Sequence, residues 1–132
     1  MKFVDEYKNW KGKQVIMRVD FNVPIEEGDV LGEMWRIKAS LPTIKFLLKN
    51  GVSQIVFLTH IGRPQDKIIP ELSVKHLIPT LNKLLKDKIF FSDKFEVTNI
   101  KHKLVLMENL RFHIEEREND KNIFRWTASS AP

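Results

Sequence analysis

Val15-Ile16-Met17-Arg18-Val19-Asp20-Phe21-Asn22-Val23-Pro24 is the stretch that decides the fold class. A short apolar run ends in charged and amide side chains, the pattern of a buried strand delivering polar groups at its C-terminal mouth. Pro24 has no N–H to donate and stops the ladder. In a parallel sheet the crevice outside the carboxyl ends of the strands is where ligands bind, and Asp20 and Asn22 then point into a site. The alternative is a strand exit at which Asp and Asn only form turns, as their side chains favour.

Outward from this stretch the same grammar recurs. Gln54-Ile55-Val56-Phe57-Leu58-Thr59 is a second apolar run of strand length, ending in His60-Ile61-Gly62-Arg63-Pro64. Between the two runs, Ile37, Ala39, Leu41, Ile44, Phe46, Leu47 and Leu48 recur mostly at helical spacing, and Asn50-Gly51 supplies a C-terminal stop. Pro42 falls inside that span, so the helix is expected to begin near Ser40 or to follow an irregular first segment. Strand, helix and strand in this order make a parallel βαβ unit with a right-handed crossover.

Before that helix, Glu26-Glu27-Gly28-Asp29 is a polar turn, and Val30-Leu31 is read as a short hairpin arm. Ser73 caps a further helix through Leu85, with Val74, Leu77, Ile78, Leu81, Leu84 and Leu85 as its apolar stripe. Pro79 predicts a kink or break in it. Lys88-Ile89-Phe90-Phe91 reads as a third strand, residues 92–99 as a connector, and Leu104-Val105-Leu106-Met107 as a fourth strand ending in Glu108-Asn109-Leu110-Arg111-Phe112-His113. The charged run at 115–121 is read as solvated. Alternating elements of this kind predict the α/β class, a parallel sheet with helices on both faces.

With 132 residues and 42% hydrophobic content, the chain is long enough for one core and short for two. The 22 Lys and Arg against 17 Asp and Glu leave a net charge of +5, which favours an anionic partner. The excess is scattered rather than blocked, so a small anion is favoured over nucleic acid. Cysteine is absent, which removes disulfides, thiolate catalysis and Cys-type zinc sites, and the four histidines are not spaced as a metal set. Acidic residues near the N-terminus stand where a signal peptide needs its apolar core, and no uncharged apolar run reaches membrane-spanning length, so a soluble cytoplasmic protein is expected.

Three strand mouths thus end in Asp20/Asn22, His60/Arg63 and Arg111, and Arg36 opens the segment after the first. Arginine forks match phosphate and carboxylate oxygens with paired hydrogen bonds. Asp20 and Asn22 complement a hydroxyl, which both donates and accepts. Gly62 lets backbone approach a ligand. Taken singly, Arg36 and Arg111 read better as solvated surface residues and His60 as a satisfied core or turn histidine. His76, His102 and His113 are assigned no role. What favours a site is the repetition of one location type by different segments.

Four of these segments resemble the successive motifs of phosphoglycerate kinase: residues 15–24, Arg36-Ile37-Lys38-Ala39, Thr59-His60-Ile61-Gly62-Arg63-Pro64 and Glu108-Asn109-Leu110-Arg111-Phe112-His113. Their order and spacing are also similar, over about residues 4–120. The resemblance implies the substrate-binding N-terminal lobe of a two-lobed glycolytic kinase, Rossmann-like and three-layered, occupying residues 1–122. The family reaction is phosphoryl transfer between 1,3-bisphosphoglycerate and ADP, giving 3-phosphoglycerate and ATP, with magnesium on the nucleotide. It implies Asp20, Phe21 and Asn22 as substrate-binding segment, Arg36 as catalytic arginine, and His60, Ile61, Gly62, Arg63 and Arg111 at the phosphoglycerate site.

Residues 123–132 depart from the family pattern, and the nucleotide lobe and a further substrate arginine have no counterpart. A C-terminally truncated or incomplete lobe is therefore expected, without a Mg-ATP or Mg-ADP site and inactive by itself, with 3-phosphoglycerate or 1,3-bisphosphoglycerate as ligand and no membrane partner. A monomer is expected. A non-catalytic anion- or nucleic-acid-binding module and a degenerate non-functional fragment are the competing readings.

Overall fold

The computed structural model describes residues 6–64, 67–94 and 100–112. The expectations for His113, for the charged run at 115–121 and for the tail at 123–132 lie outside the described residues, as does most of the connector at 92–99.

Strand β1, Gln14–Arg18, leads through the loop carrying Asp20 and Asn22 into a hairpin of β2, Ile25–Glu26, and β3, Asp29–Val30. Ile25 pairs with Val30 and Glu26 with Asp29, leaving Glu27 and Gly28 as a two-residue turn with φ of 52° and 82°. Positive φ at both turn positions matches the twist of the flanking strands. The arm expected at Val30-Leu31 is thus centred one residue earlier, although the Leu31 N–H still donates to the Pro24 carbonyl at 2.9 Å.

Helix α1, Met34–Lys38, and helix α2, Leu41–Lys49, follow. Pro42 stands in the first turn of α2, where a missing N–H costs nothing. The segment before it is a separate helical turn and a half rather than irregular chain, and the Ser40 hydroxyl donates to the Ile37 carbonyl at 2.7 Å across the break. Asn50-Gly51 ends α2 as expected, with Gly51 at φ 84°.

Strand β4, Gln54–Leu58, comes next, then two 3₁₀ turns at Pro70–Leu72 and Val74–Leu77, and helix α3, Ile78–Leu85. Ser73 caps the second turn by accepting from the Lys75 N–H. Pro79 lies in the first turn of α3, so the expected break is a change from 3₁₀ to α geometry. Strands β5, Phe90–Ser92, and β6, Leu104–Met107, complete the sheet, and a 3₁₀ turn at Leu110–Phe112 follows.

The four strands run parallel in the order β1-β4-β6-β5, the α/β arrangement read from the sequence. Met17 lies opposite Phe57 and Phe57 opposite Leu106, so β1, β4 and β6 reach their carboxyl ends at one level. Strict alternation divides the faces. Val15, Met17, Ile55, Phe57, Leu104 and Leu106 join the large core with Ile37, Ile44, Leu47, Leu77 and Leu81 of the helices and turns. Ile16, Val56, Leu58, Val105 and Met107 form a smaller cluster with Ile100 on the opposite face. Among the described residues, all three α-helices contribute to the first cluster.

Candidate anion site at the strand mouths

Immediately past the ends of β1, β4 and β6 the buried chain changes from apolar to polar. Thr59, the first residue after β4, is wholly buried. Its hydroxyl accepts the Phe21 N–H at 3.1 Å and its carbonyl accepts the Leu110 N–H at 3.0 Å, joining the exits of all three strands. Phe21 itself is a core residue, 0% exposed, with its ring tilted against Phe57 at 6.1 Å. The expected substrate segment therefore offers Asp20 and Asn22 to the mouth, while Phe21 between them anchors it from below.

Asn22 Oδ1 accepts the Gly62 N–H at 3.0 Å, and Asn109 Nδ2, also fully buried, donates to the Ile61 carbonyl at 2.8 Å. The Ile61–Gly62 peptide is thus held at its N–H by the β1 exit and at its C=O by the β6 exit. Ile61 is core, 3% exposed, and contributes backbone rather than side chain. Gly62 has φ 64°, and a Cβ there would lie 2.9 Å from Leu72 Cδ2. Glycine is favoured at this position by the backbone itself, before any ligand is considered.

Asn109 makes two further bonds, donating to the Leu72 carbonyl at 2.9 Å and accepting the Arg111 N–H at 2.9 Å. Glu108 completes the support: its carboxylate accepts from the Ser73 hydroxyl at 2.8 and 3.0 Å, from the Val74 N–H at 3.0 Å and from the Asn109 N–H at 2.8 Å. Side-chain networks of this kind rigidify a site when every member is satisfied.

On this frame the charged groups are arranged as follows. Arg36, on α1, places Nη1 2.6 Å from Asp20 Oδ2. Asp20 Oδ1 accepts the Asn22 N–H at 3.2 Å, Asn22 accepts from Gly62, and Arg111 Nη1 lies 3.5 Å from the Gly62 carbonyl. A continuous polar chain therefore runs from Arg36 to Arg111 across the mouth. Its last link is long and weak. Arg63 is exposed and His60 half-buried in the same loop. The structure thus brings Asp20, Asn22, Arg36, Gly62 and Arg111 into one connected set, with Arg63 and His60 on the loop that Asn22 and Asn109 hold.

Outside it, His76 Nε2 lies 3.0 Å from the Pro70 carbonyl, and His102 stacks on Phe90 at 4.5 Å. Among the described residues no group of three His, Cys, Asp or Glu could hold a metal ion, and no helix is long and apolar enough to cross a membrane.

Sequence reasoning did not single out Thr59 or Glu33, the bond from Ser73 to Glu108, or the separate tasks of Glu108 and Asn109. A signal was present for two of them: Thr59 and Asn109 are small polar residues directly behind apolar strands, where a buried polar side chain must find partners. Which partners they find depends on strand order, which no local pattern carries.

The family model described as phosphoglycerate kinase matches residues 4–131. The phosphoglycerate kinase of Agaricus bisporus is 44% identical over 119 residues, 84% of this chain and 28% of its own length. That of Dictyostelium discoideum is 43% identical over 114 residues, 80% of this chain and 27% of its own. Among solved structures, phosphoglycerate kinase from Coxiella burnetii superposes with a TM-score of 0.80 at 28% identity, covering 93% of this chain and 32% of that one. Phosphoglycerate kinase from Pyrococcus horikoshii gives 0.82 at 25% identity, covering 99% and 35%. The chain spans less than a third of the length of the curated relatives it matches.

Proposed function

Because the chain belongs to the phosphoglycerate kinase family, we propose that its strand mouths form the phosphoglycerate side of a glycolytic phosphoryl transfer. The family reaction passes a phosphoryl group between 1,3-bisphosphoglycerate and ADP, giving 3-phosphoglycerate and ATP. The reading is carried by one observation: strands that end at the same level bring Asp20, Asn22, Arg36, Gly62 and Arg111 into a single connected polar set.

The chemistry suits these groups. A phosphoryl group in transfer spreads charge over its equatorial oxygens, so the protein's task is positioning and positive charge rather than a nucleophile. Asp20 and Asn22 take the glycerate hydroxyl, the one accepting and the other able to do either. Arg36 meets the carboxyl end and the moving phosphoryl group, and is the catalytic residue of this reading. His60, Arg63 and Arg111 hold the distal phosphate, with the Gly62 backbone beside them. Magnesium travels with the nucleotide, which the family holds in a second lobe.

The 119 residues matched to the Agaricus bisporus relative correspond to 28% of its length, and this reading places them on the phosphoglycerate side of the family reaction. Tested by themselves they bind 3-phosphoglycerate without turnover. A cytoplasmic monomer is the setting this reading implies. Calorimetry of the purified chain with 3-phosphoglycerate is the test, and absence of heat at millimolar ligand rejects the proposal. Steeply salt-dependent binding to an oligonucleotide, with no response to 3-phosphoglycerate, instead selects the nucleic-acid module.

A further inference from the structure

Trp35, in the short helix α1, is 62% exposed, so packing into the core does not account for an indole at this position. Its ring lies beneath the side chain of the next residue: Arg36 Cζ is 4.8 Å from the ring centroid, the one cation–π contact among the described residues. Adjacent helical positions do not ordinarily face each other. The stacking is therefore not a by-product of helix geometry.

Hydrogen bonding does not account for the pose of Arg36 either. Asp20 holds Nη1 at 2.6 Å, but Nε is buried with no hydrogen-bond partner among the described residues. Glu33 Oε1 stands 3.7 Å from that Nε, attracting it by charge but outside hydrogen-bond range. A buried donor in that condition costs free energy, and the pose needs a compensating contact. The indole face supplies one.

Resting on the phosphoglycerate reading, we infer that Trp35 is a positioning residue for Arg36, fixing the plane of its guanidinium before the anion arrives. A guanidinium donates hydrogen bonds within its own plane and is attracted to an aromatic ring through its face. Stacking thus orients Arg36 without occupying an N–H, whereas a carboxylate partner such as Asp20 occupies one. Asp20 restrains one terminal nitrogen and Trp35 the plane, two different constraints on one long side chain. Ordering that side chain in advance removes part of the entropy that anion binding otherwise costs. An exposed cation–π contact of this kind alters an equilibrium roughly two- to fivefold.

The test pairs calorimetric titration with 3-phosphoglycerate and fluorine NMR of the chain labelled with fluorotryptophan, the Trp35 resonance being assigned by its loss in Trp35→Phe. Trp35→Leu keeps an apolar side chain and removes the π face, and it should weaken 3-phosphoglycerate binding roughly two- to fivefold. Trp35→Phe restores a ring and should hold affinity within about twofold of the parent. The unfolding midpoint is expected not to fall in either variant, because the side chain is mostly in water. In the labelled parent, the Trp35 resonance should shift and saturate at the ligand concentration that saturates the heat, as Arg36 engages the anion above the ring. Equal affinity in Trp35→Leu and the parent, equal weakening in Trp35→Leu and Trp35→Phe, or a Trp35 resonance that stays fixed while heat is released overturns the positioning role and leaves the phosphoglycerate site standing. A lower unfolding midpoint accompanying the loss of affinity overturns it too, in favour of a structural role. Absence of 3-phosphoglycerate binding by the parent chain overturns both.

Discussion

The hydroxyl of Thr59 accepts the backbone N–H of Phe21 at 3.1 Å, with both residues completely buried. The bond crosses from the β4 exit to the loop that carries Asp20 and Asn22, so the position of two candidate ligand groups depends on a side chain facing away from solvent. Thr59→Val keeps shape and removes the acceptor. Loss of about 1–3 kcal/mol in urea denaturation is expected, because a buried N–H is left without a partner. Thr59→Ser should restore most of it.

Asn109 serves three backbone groups at once, the carbonyls of Ile61 and Leu72 and the N–H of Arg111. Asn109→Ala should cost about 3 kcal/mol, more than any single hydrogen bond, since each buried group loses its partner. Asn109→Asp is expected to rescue little, because an ionised carboxylate cannot donate to the two carbonyls. Chemical denaturation of both variants checks this.

Gly62→Ala combines two penalties. The left-handed backbone costs about 1–2 kcal/mol with a Cβ present, and the new atom meets Leu72 Cδ2 at 2.9 Å. Adding Leu72→Ala removes the clash and keeps the backbone penalty. A double-mutant cycle should therefore show positive coupling between the two sites, and strict additivity would mean that Leu72 yields without resistance.

Arg63 is exposed and can be altered without disturbing the core. Arg63→Ala should leave stability within about 0.5 kcal/mol while weakening 3-phosphoglycerate binding roughly tenfold, the size of one charge-assisted hydrogen bond. Calorimetry paired with a melting curve separates the two effects, and unchanged affinity would remove Arg63 from the site.

Much of the fold was legible because local signals agreed with it. The apolar runs at 15–17, 54–58 and 104–107 are strands, Pro42 marks a helix start, Pro79 marks the break between the 3₁₀ turn and α3, and Asn50-Gly51 ends α2. The separate helical turn at α1 was not legible, since five residues are too few to display a period. At the candidate site, polar and charged residues at the strand ends pointed to Asp20, Asn22 and Arg111, and the segment after the first strand pointed to Arg36. The supports were hidden for another reason: Ser73 meets Glu108 across 35 residues, and Asn109 meets Ile61 across 48. Only the strand order makes such pairs neighbours.

The peptide between Ile61 and Gly62 is gripped at both poles, by Asn22 at its N–H and by Asn109 at the preceding carbonyl. A trans peptide is a rigid plane, so fixing both poles removes its freedom to rotate. The Gly62 amide proton is therefore tied to a side chain from a different segment although it sits in a loop. In deuterated water it should exchange more slowly than an unbonded loop amide, and Asn22→Ala should speed it, which makes one glycine proton a reporter of that grip.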